Sequence, residues 1–416
     1  MTPTPLAAAA LLVAAISALV LPVEVAIALL VAVAIITIID ASIARSKVRV
    51  RRAVPRALSR AVPARLTVTT DALQPKRIQV RQARPADVTI EAPVGTGKIE
   101  TTIVAHRRGE AILPPLSVRQ TGPLGFGRCT FDGEGTAPLL VYPDVAAANR
   151  MVLALRTGKF RDPGLRTRGP LGLGTDFESI RDYLPDDDVR QINWTASERT
   201  GRPMSNVYRI EQDRDVICLV DAGRLMTAPL DARTTRLDAA VDAVTMVALV
   251  ADELGDRSGV TVFDDKIRTS LQPRRSGGRV VVRTVLPVEP QPVDSDYDIA
   301  FRTVSGAKRA LILVFTDLVD EAAARSLVDA VPVLARRHAV VVASVRDPDL
   351  DRVVATEPRS PHDVYGAAVA VDVLDARRRA ALRLHHAGAR VVEAPAAGLG
   401  EACVRAYLQL KARARL

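Results

Sequence analysis

From residue 216 to the end, the chain alternates between two hydrophobic periods, and this limits its fold more than any other feature. Apolar runs of strand length occur at 216–220, 259–263, 310–315, 339–345 and 390–392. Helical patterns at 235–254, 321–336, 364–386 and 399–412 separate or follow them. Strands joined through helices pair in parallel, because a parallel pair needs a long crossover. The expected product is an α/β domain over 216–416, a mostly parallel sheet with helices on both faces. A further run at 267–271 follows its neighbour closely enough to be an antiparallel edge strand. The first run ends on Asp221. A carboxylate at the carboxyl end of a buried strand stands where open α/β sheets place ligands.

The opposite end of the chain is of another kind. Residues 6–39 are apolar apart from Pro22, Glu24 and a few small polar residues. One unbroken helix of that length measures about 51 Å, against a hydrocarbon core of ~30 Å. Pro22 and Glu24 divide the run into 6–21 and 25–39, so a transmembrane helical hairpin is expected over 1–44. One tilted span is the alternative, and it leaves residues 1–5 on the far side. Behind the apolar run, Arg45, Lys47, Arg49, Arg51, Arg52, Arg56, Arg60 and Arg65 carry eight of the ten net positive charges, with no acid between Ala41 and Thr70. A cationic flank marks the cytoplasmic side of a membrane helix. Membrane lipids are therefore expected partners through 6–39 and through a basic juxtamembrane linker at 45–65. The soluble domains are expected in the cytoplasm, on the inner membrane. No nucleic-acid partner is expected, because aromatic residues make up only 3% of the chain and do not interleave with the cations.

Between 66 and 145 short alternating runs are punctuated by Pro75, Pro85, Pro93, Gly95, Gly97, Gly109 and Pro114, the pattern of a small β-sandwich. The glycines of 121–126 (TGPLGF) read as turn residues, since no Lys-Ser/Thr follows and no helix opens there. Residues 146–215 form a linker, including a loop rich in Gly, Arg and Pro at 156–174. The three cysteines, Cys129, Cys218 and Cys403, are widely spaced and odd in number, which points to a reducing compartment. The five histidines lack ligand spacing, and no Ser-His-Asp or GxSxG arrangement is present. No catalytic residue is assigned.

Just before the α/β pattern lies a segment dense in arginine and aspartate. Arg181, Tyr183, Pro185, Asp187, Asp188, Arg190, Ile192, Trp194 and Arg199 stand at fixed spacing there. That spacing resembles the RxYxPGDDxRxIDWxxxAR signature of the bacterial domain of unknown function 58 family. Asp186 replaces a usual glycine and Asn193 a usual aspartate. The segment reads either as a docking surface or as an ion-pair lattice that fastens it to the sheet, with Trp194 as a buried apolar anchor. Asp186–Asp188 can also cap a short helix running through Ile192.

The resemblance implies a von Willebrand A-like (Rossmann-type) domain, a fold that holds a divalent cation on a DxSxS loop, a threonine and a later aspartate. Asp221 takes the first position, Gly223 and Leu225 stand where the serines belong, Thr234 or Thr235 offers the threonine, and Asp317 the later acid. With both hydroxyls lost, the adhesion-type site is expected to be degenerate. No cofactor is then expected, although Mg²⁺, which favours hard oxygen ligands, remains the ion that the surviving acids suit. Arg224 is the candidate cation substitute between the two acids. In the other reading it points to solvent and the acids cap helices. The resemblance also implies work beside a MoxR-type AAA+ ATPase, as a membrane-held interaction module or adaptor. A metal-assisted hydrolase using Asp221 and Asp317 and a purely structural membrane scaffold are the alternatives.

Overall fold

A computed structural model describes residues 2–45, 48–71, 77–160, 176–184, 187, 189–209, 213–318 and 321–412. The chain divides into two compact units, Met1–Tyr142 and Pro143–Leu416.

In the first unit two helices, Pro5–Ile16 and Val23–Ile43, are joined by a short 3₁₀ turn and pack on each other. The break falls at Leu21 and Pro22, because proline has no N–H to continue a helix. The second helix runs past the expected limit of residue 39. Its 21 residues are long and apolar enough to cross a membrane. The first is shorter, with 12 residues of α-helix. Both ends of this pair meet one turn. Thr4 donates through its backbone N–H to the Phe126 carbonyl (2.9 Å) and through its hydroxyl to that of Gly125 (2.6 Å). Asp40, fully buried near the end of the second helix, accepts the backbone N–H groups of Leu124, Phe126 and Gly127, each at 2.8 Å. The close approach needs glycine. A Cβ at Gly122 would lie 2.4 Å from the Asp40 carboxylate, and one at Gly127 would lie 2.2 Å from the Ala41 nitrogen.

The rest of this unit is three sheets. A four-stranded sheet (Val50–Ala53, Ala64–Thr70, Lys98–Ala105, Val88–Ile90) lies between two apolar clusters. Leu66, Ile90 and Ile103 pack with Leu58, Leu113 and Val141 of a three-stranded sheet. Val68 and Ile99 pack with Ile78, Val80, Leu116 and Val118 of a five-stranded one. The basic stretch expected as a linker enters this structure: Val50–Ala53 and Ala57–Ser59 are strands in it. Arg52 bonds Gln82 and the Pro114 carbonyl at 2.9 Å, and Arg65 pairs with Glu100 at 3.2 Å.

The second unit is built on a six-stranded sheet. Its spatial order is Ile267–Arg275, Arg257–Phe263, Asp215–Asp221, Ala310–Phe315, Ala339–Val345, Arg390–Ala394. All neighbours are parallel except the first pair, the edge hairpin. Alternation along the central strand sends Val216, Cys218 and Val220 to one face, against helices Arg236–Glu253 and Ala396–Ala412. Ile217 and Leu219 go to the other, against Tyr297–Arg302, Glu321–Ala335 and the far end of Pro361–His386. The strand order reverses between Asp215–Asp221 and Ala310–Phe315, so their carboxyl ends flank the switch point where α/β sheets open a crevice.

Candidate functional site

Asp221 closes the first strand and is completely buried. Its Oδ1 accepts the Gly223 N–H (2.8 Å) and the Ser295 hydroxyl (2.5 Å). Its Oδ2 accepts the hydroxyls of Tyr297 (2.9 Å) and Thr316 (2.7 Å), which themselves lie 2.7 Å apart. Four donors saturate the carboxylate, so the charge is compensated without a cation. Burial first, and then the facing Asp221 charge, push the Tyr297 phenol well above its ordinary range, which keeps its proton in place to donate.

Ser295 reaches Asp221 because the 222–224 loop is stitched to 291–293. Gln291 N–H donates to the Ala222 carbonyl and Arg224 N–H to that of Val293, both at 2.7 Å. A Cβ at Gly223 would sit 2.1 Å from the Ser295 oxygen and 2.6 Å from the Val293 carbonyl. The hydroxyl absent at 223 is therefore replaced from another loop, and the space a serine there needs is already filled.

Asp317 follows the neighbouring strand and is also buried. It shares no hydrogen-bond partner with Asp221 among the described residues. Its Oδ1 accepts the Leu318 N–H (3.0 Å) and the Ser344 hydroxyl (3.1 Å) and is ion-paired with the Arg377 guanidinium at 3.1 Å. Its Oδ2 is held by Arg236. Both arginines are buried. Arg236 continues to Asp347 at 3.6 Å and Arg377 to Glu393 at 3.8 Å, which gives a chain of five alternating charges, Asp347, Arg236, Asp317, Arg377 and Glu393. The Arg236 Nε is buried and has no hydrogen-bond partner among the described residues, so this guanidinium is only partly compensated.

The cation substitute expected from the sequence is thus corrected. Arg224 is exposed, and its Nε pairs with Asp294 at 2.9 Å. The residues holding Asp317 are Arg236 and Arg377, a helix N-terminus and a long helix that sequence distance gave no reason to bring together. The positions offered for the threonine are placed as follows. Thr235 caps helix Arg236–Glu253, its oxygen accepting the Asp238 N–H while Asp238 accepts the Thr235 N–H, a capping box. Thr234 donates its N–H to Asp231 (2.8 Å), and Leu225 lies half-buried in a 3₁₀ turn. The oxygens present do not fit a Mg²⁺ site: every Asp221 lone pair has a protein donor, and Asp317 is bound by cations. Sequence reasoning missed Ser295, Tyr297, Thr316, Ser344, Arg236 and Arg377. Only Thr316, beside Asp317, and Arg236, beside the helix cap, stood next to anything already marked.

The signature segment is a separate construction. Strands Asp176–Asp182 and Met204–Arg209 form a ribbon around helix Trp194–Thr200. Arg181 grips Asp187 with two bonds of 2.7 and 2.6 Å, and this ion pair holds the Asp187 carboxyl below its usual range. Tyr183 donates to the Asp187 carbonyl (3.0 Å). Asn193 caps helix Trp194–Thr200 by accepting the Ala196 N–H, while the short helix expected through Ile192 is a 3₁₀ turn at Val189–Gln191. Asp186 and Asp188 and most of the 156–174 loop lie outside the described residues, as does the side chain of Arg190. Trp194, expected to be buried, is 72% exposed, and Arg199 is exposed on the same helix.

Residues 179–386 match the family described as Protein of unknown function DUF58. The chain belongs to that family. The DUF58 match starts inside the ribbon and ends with the long helix, so it contains Trp194, both acids and both buried arginines. Uncharacterized proteins of Mycobacterium tuberculosis and Mycobacterium bovis are each 25% identical over 238 residues, 52% of this chain and 73% of theirs. Among solved structures, the PKD domain of an M14-like peptidase from a Thermoplasmatales archaeon is similar over 20% of this chain and 92% of its own, at 11% identity and a TM-score of 0.15, from which no fold follows.

Proposed function

We propose that this DUF58 protein is a membrane-held interaction module whose von Willebrand A-like domain carries a closed, cation-free remnant of an adhesion site. The sheet order, with acids beyond two adjacent central strands, supports the A-like reading. The hydroxyls on Asp221 and the arginines on Asp317 support a site given over to structure. The observation that carries the interaction reading is Trp194. The only indole of the chain stands exposed on a helix whose start is fixed by Asn193, with Arg199 one turn and a residue away. Tryptophan and arginine are the residues on which protein interfaces concentrate their binding energy. The partner proposed from the family resemblance is a MoxR-type AAA+ ATPase. The helical pair anchors the module as a transmembrane hairpin, with the basic flank on the cytoplasmic side.

The test is cross-linked purification of the full chain from membranes that contain such an ATPase. Wild type should carry the ATPase with it, and Trp194→Ala should lose it without losing fold. Equal recovery with both chains would remove the docking role of Trp194. No recovery with either would remove the proposed partner.

A further inference from the structure

The helix Pro361–His386 is about 39 Å long at 1.5 Å per residue, and only its far end belongs to the core. Ala380 and Leu384 pack beneath the sheet. From Pro361 to Val369 no residue is buried. This part carries Val364, Tyr365 (74% exposed) and Val369, and packs with helix Pro348–Ala355, whose Val353 and Val354 are exposed as well. The two, continued along the long helix as far as Asp375, form an arm whose outer part is apolar. Between 349 and 375 it holds six acids (Asp349, Asp351, Glu357, Asp363, Asp372, Asp375) against Arg352 and Arg359, a net charge of −4 with His362 neutral.

At the base of the same helix lies a groove of about 600 Å³ with the opposite character. Arg346, Arg377, Arg378, His385 and Arg390 line it against one acid, Glu393, and Leu382 and Val391 give it an apolar wall. Some of these cations already have partners: Arg346 has Asp351 at 3.4 Å, Arg390 has Gln409 at 2.6 Å, and Arg377 has Asp317. Arg378 makes no ion pair among the described residues, and neither do Glu357, Asp372 and Asp375 of the arm.

We infer that the acidic arm of one copy docks into the basic groove of a second copy, and reciprocally. Each copy holds both halves of a complementary pair, apolar and negative on one side and apolar and positive on the other. Twofold pairing makes such a contact twice and closes on itself. Charge decides between this occupant and a lipid surface. An arm of net charge −4 is repelled by an anionic leaflet, whereas the groove attracts it.

The measurement is the association of the full chain in detergent, by sedimentation. Wild type should dimerise, and less so as salt rises. Arg378→Glu and Asp372→Arg, both at exposed positions, should each weaken the dimer by about tenfold or more. Mixing the two variants should restore it, because the reversed arm then meets the reversed groove and the two unchanged halves meet each other. Tyr365→Ser, which leaves charge alone, should weaken it too. A monomeric wild type, single variants that associate like wild type, or a mixture no tighter than either variant alone would overturn the inference.

Discussion

At the residue scale, two neighbouring acids reach the same end: each is buried and each is satisfied by protein groups. Asp221 takes hydroxyls and an N–H, whereas Asp317 takes two guanidinium groups. Removing one partner of a buried ion pair leaves an uncompensated charge, which costs about 3–5 kcal/mol. Arg236→Met is therefore expected to lower stability by the smaller part of that range, since Arg377 stays in place. Adding Asp317→Asn should recover part of the loss, and urea unfolding of both variants checks it. Alkali probes the other acid. Burial raises Tyr297 and Tyr407 well above their ordinary values and pushes the Cys218 thiol up to about 12. A group whose folded pKa is raised holds its proton in the native state while the unfolded chain has lost it. Its contribution is complete below the unfolded value and is lost as pH rises toward the folded one. Unfolding midpoints should stay level up to about pH 8.5 and then fall through the ordinary thiol and phenol range. Tyr297→Phe should make that fall shallower. A midpoint that is flat to pH 11 in wild type would contradict the burial of these groups.

At the element scale, what could be read from the sequence was whatever short-range patterning fixes. The strands and the four long helices from 215 onward follow from apolar period and length, whereas the short helices Gly278–Val285, Tyr297–Arg302 and Pro348–Ala355 carried no such mark. The break at Pro22 follows from the missing N–H. The Asp221 position at a strand end was visible for the same reason. Its partners were not, because Ser295 and Tyr297 come from 74 and 76 residues away, brought in by backbone pairing between two loops that no periodicity marks. Arg224 does not bridge the acids and points outward, as its solvent-facing reading has it, because nearness in sequence is not nearness in space. Trp194 misled because a lone indole in an apolar-poor segment reads as an anchor, whereas the ribbon here is held by Arg181–Asp187 and the Asn193 cap. Trp194→Ala should consequently cost less than about 0.5 kcal/mol, as at exposed positions. Native fluorescence should match a solvated indole. A blue-shifted maximum would restore the anchor reading.

At the scale of the whole molecule, a helical pair, a three-sheet unit and an α/β unit follow one another in the chain. Thr4 and Asp40, at the two ends of the helical pair, contact the same 122–127 turn, which places both ends on one side. A reporter that is active only in the cytoplasm should work at either terminus. Activity of a periplasm-specific reporter after Leu416 would reverse the orientation, and a tag before Met1 reached only from outside would favour a single span.

Whether the protein's own groups close both carboxylates decides between a structural site and a metal site. The direct measurement is thermal unfolding of the full chain across a Mg²⁺ titration to millimolar concentration. A ligand that binds only the native state at about 100 times its dissociation constant adds ~2.7 kcal/mol. Wild type is expected to show no shift. Gly223→Ser with Leu225→Ser should not create one, because the Ser295 oxygen and the Val293 carbonyl fill the space at 223. A clear Mg²⁺ shift in wild type that disappears in Asp221→Ala would contradict the account and return the metal-assisted hydrolase.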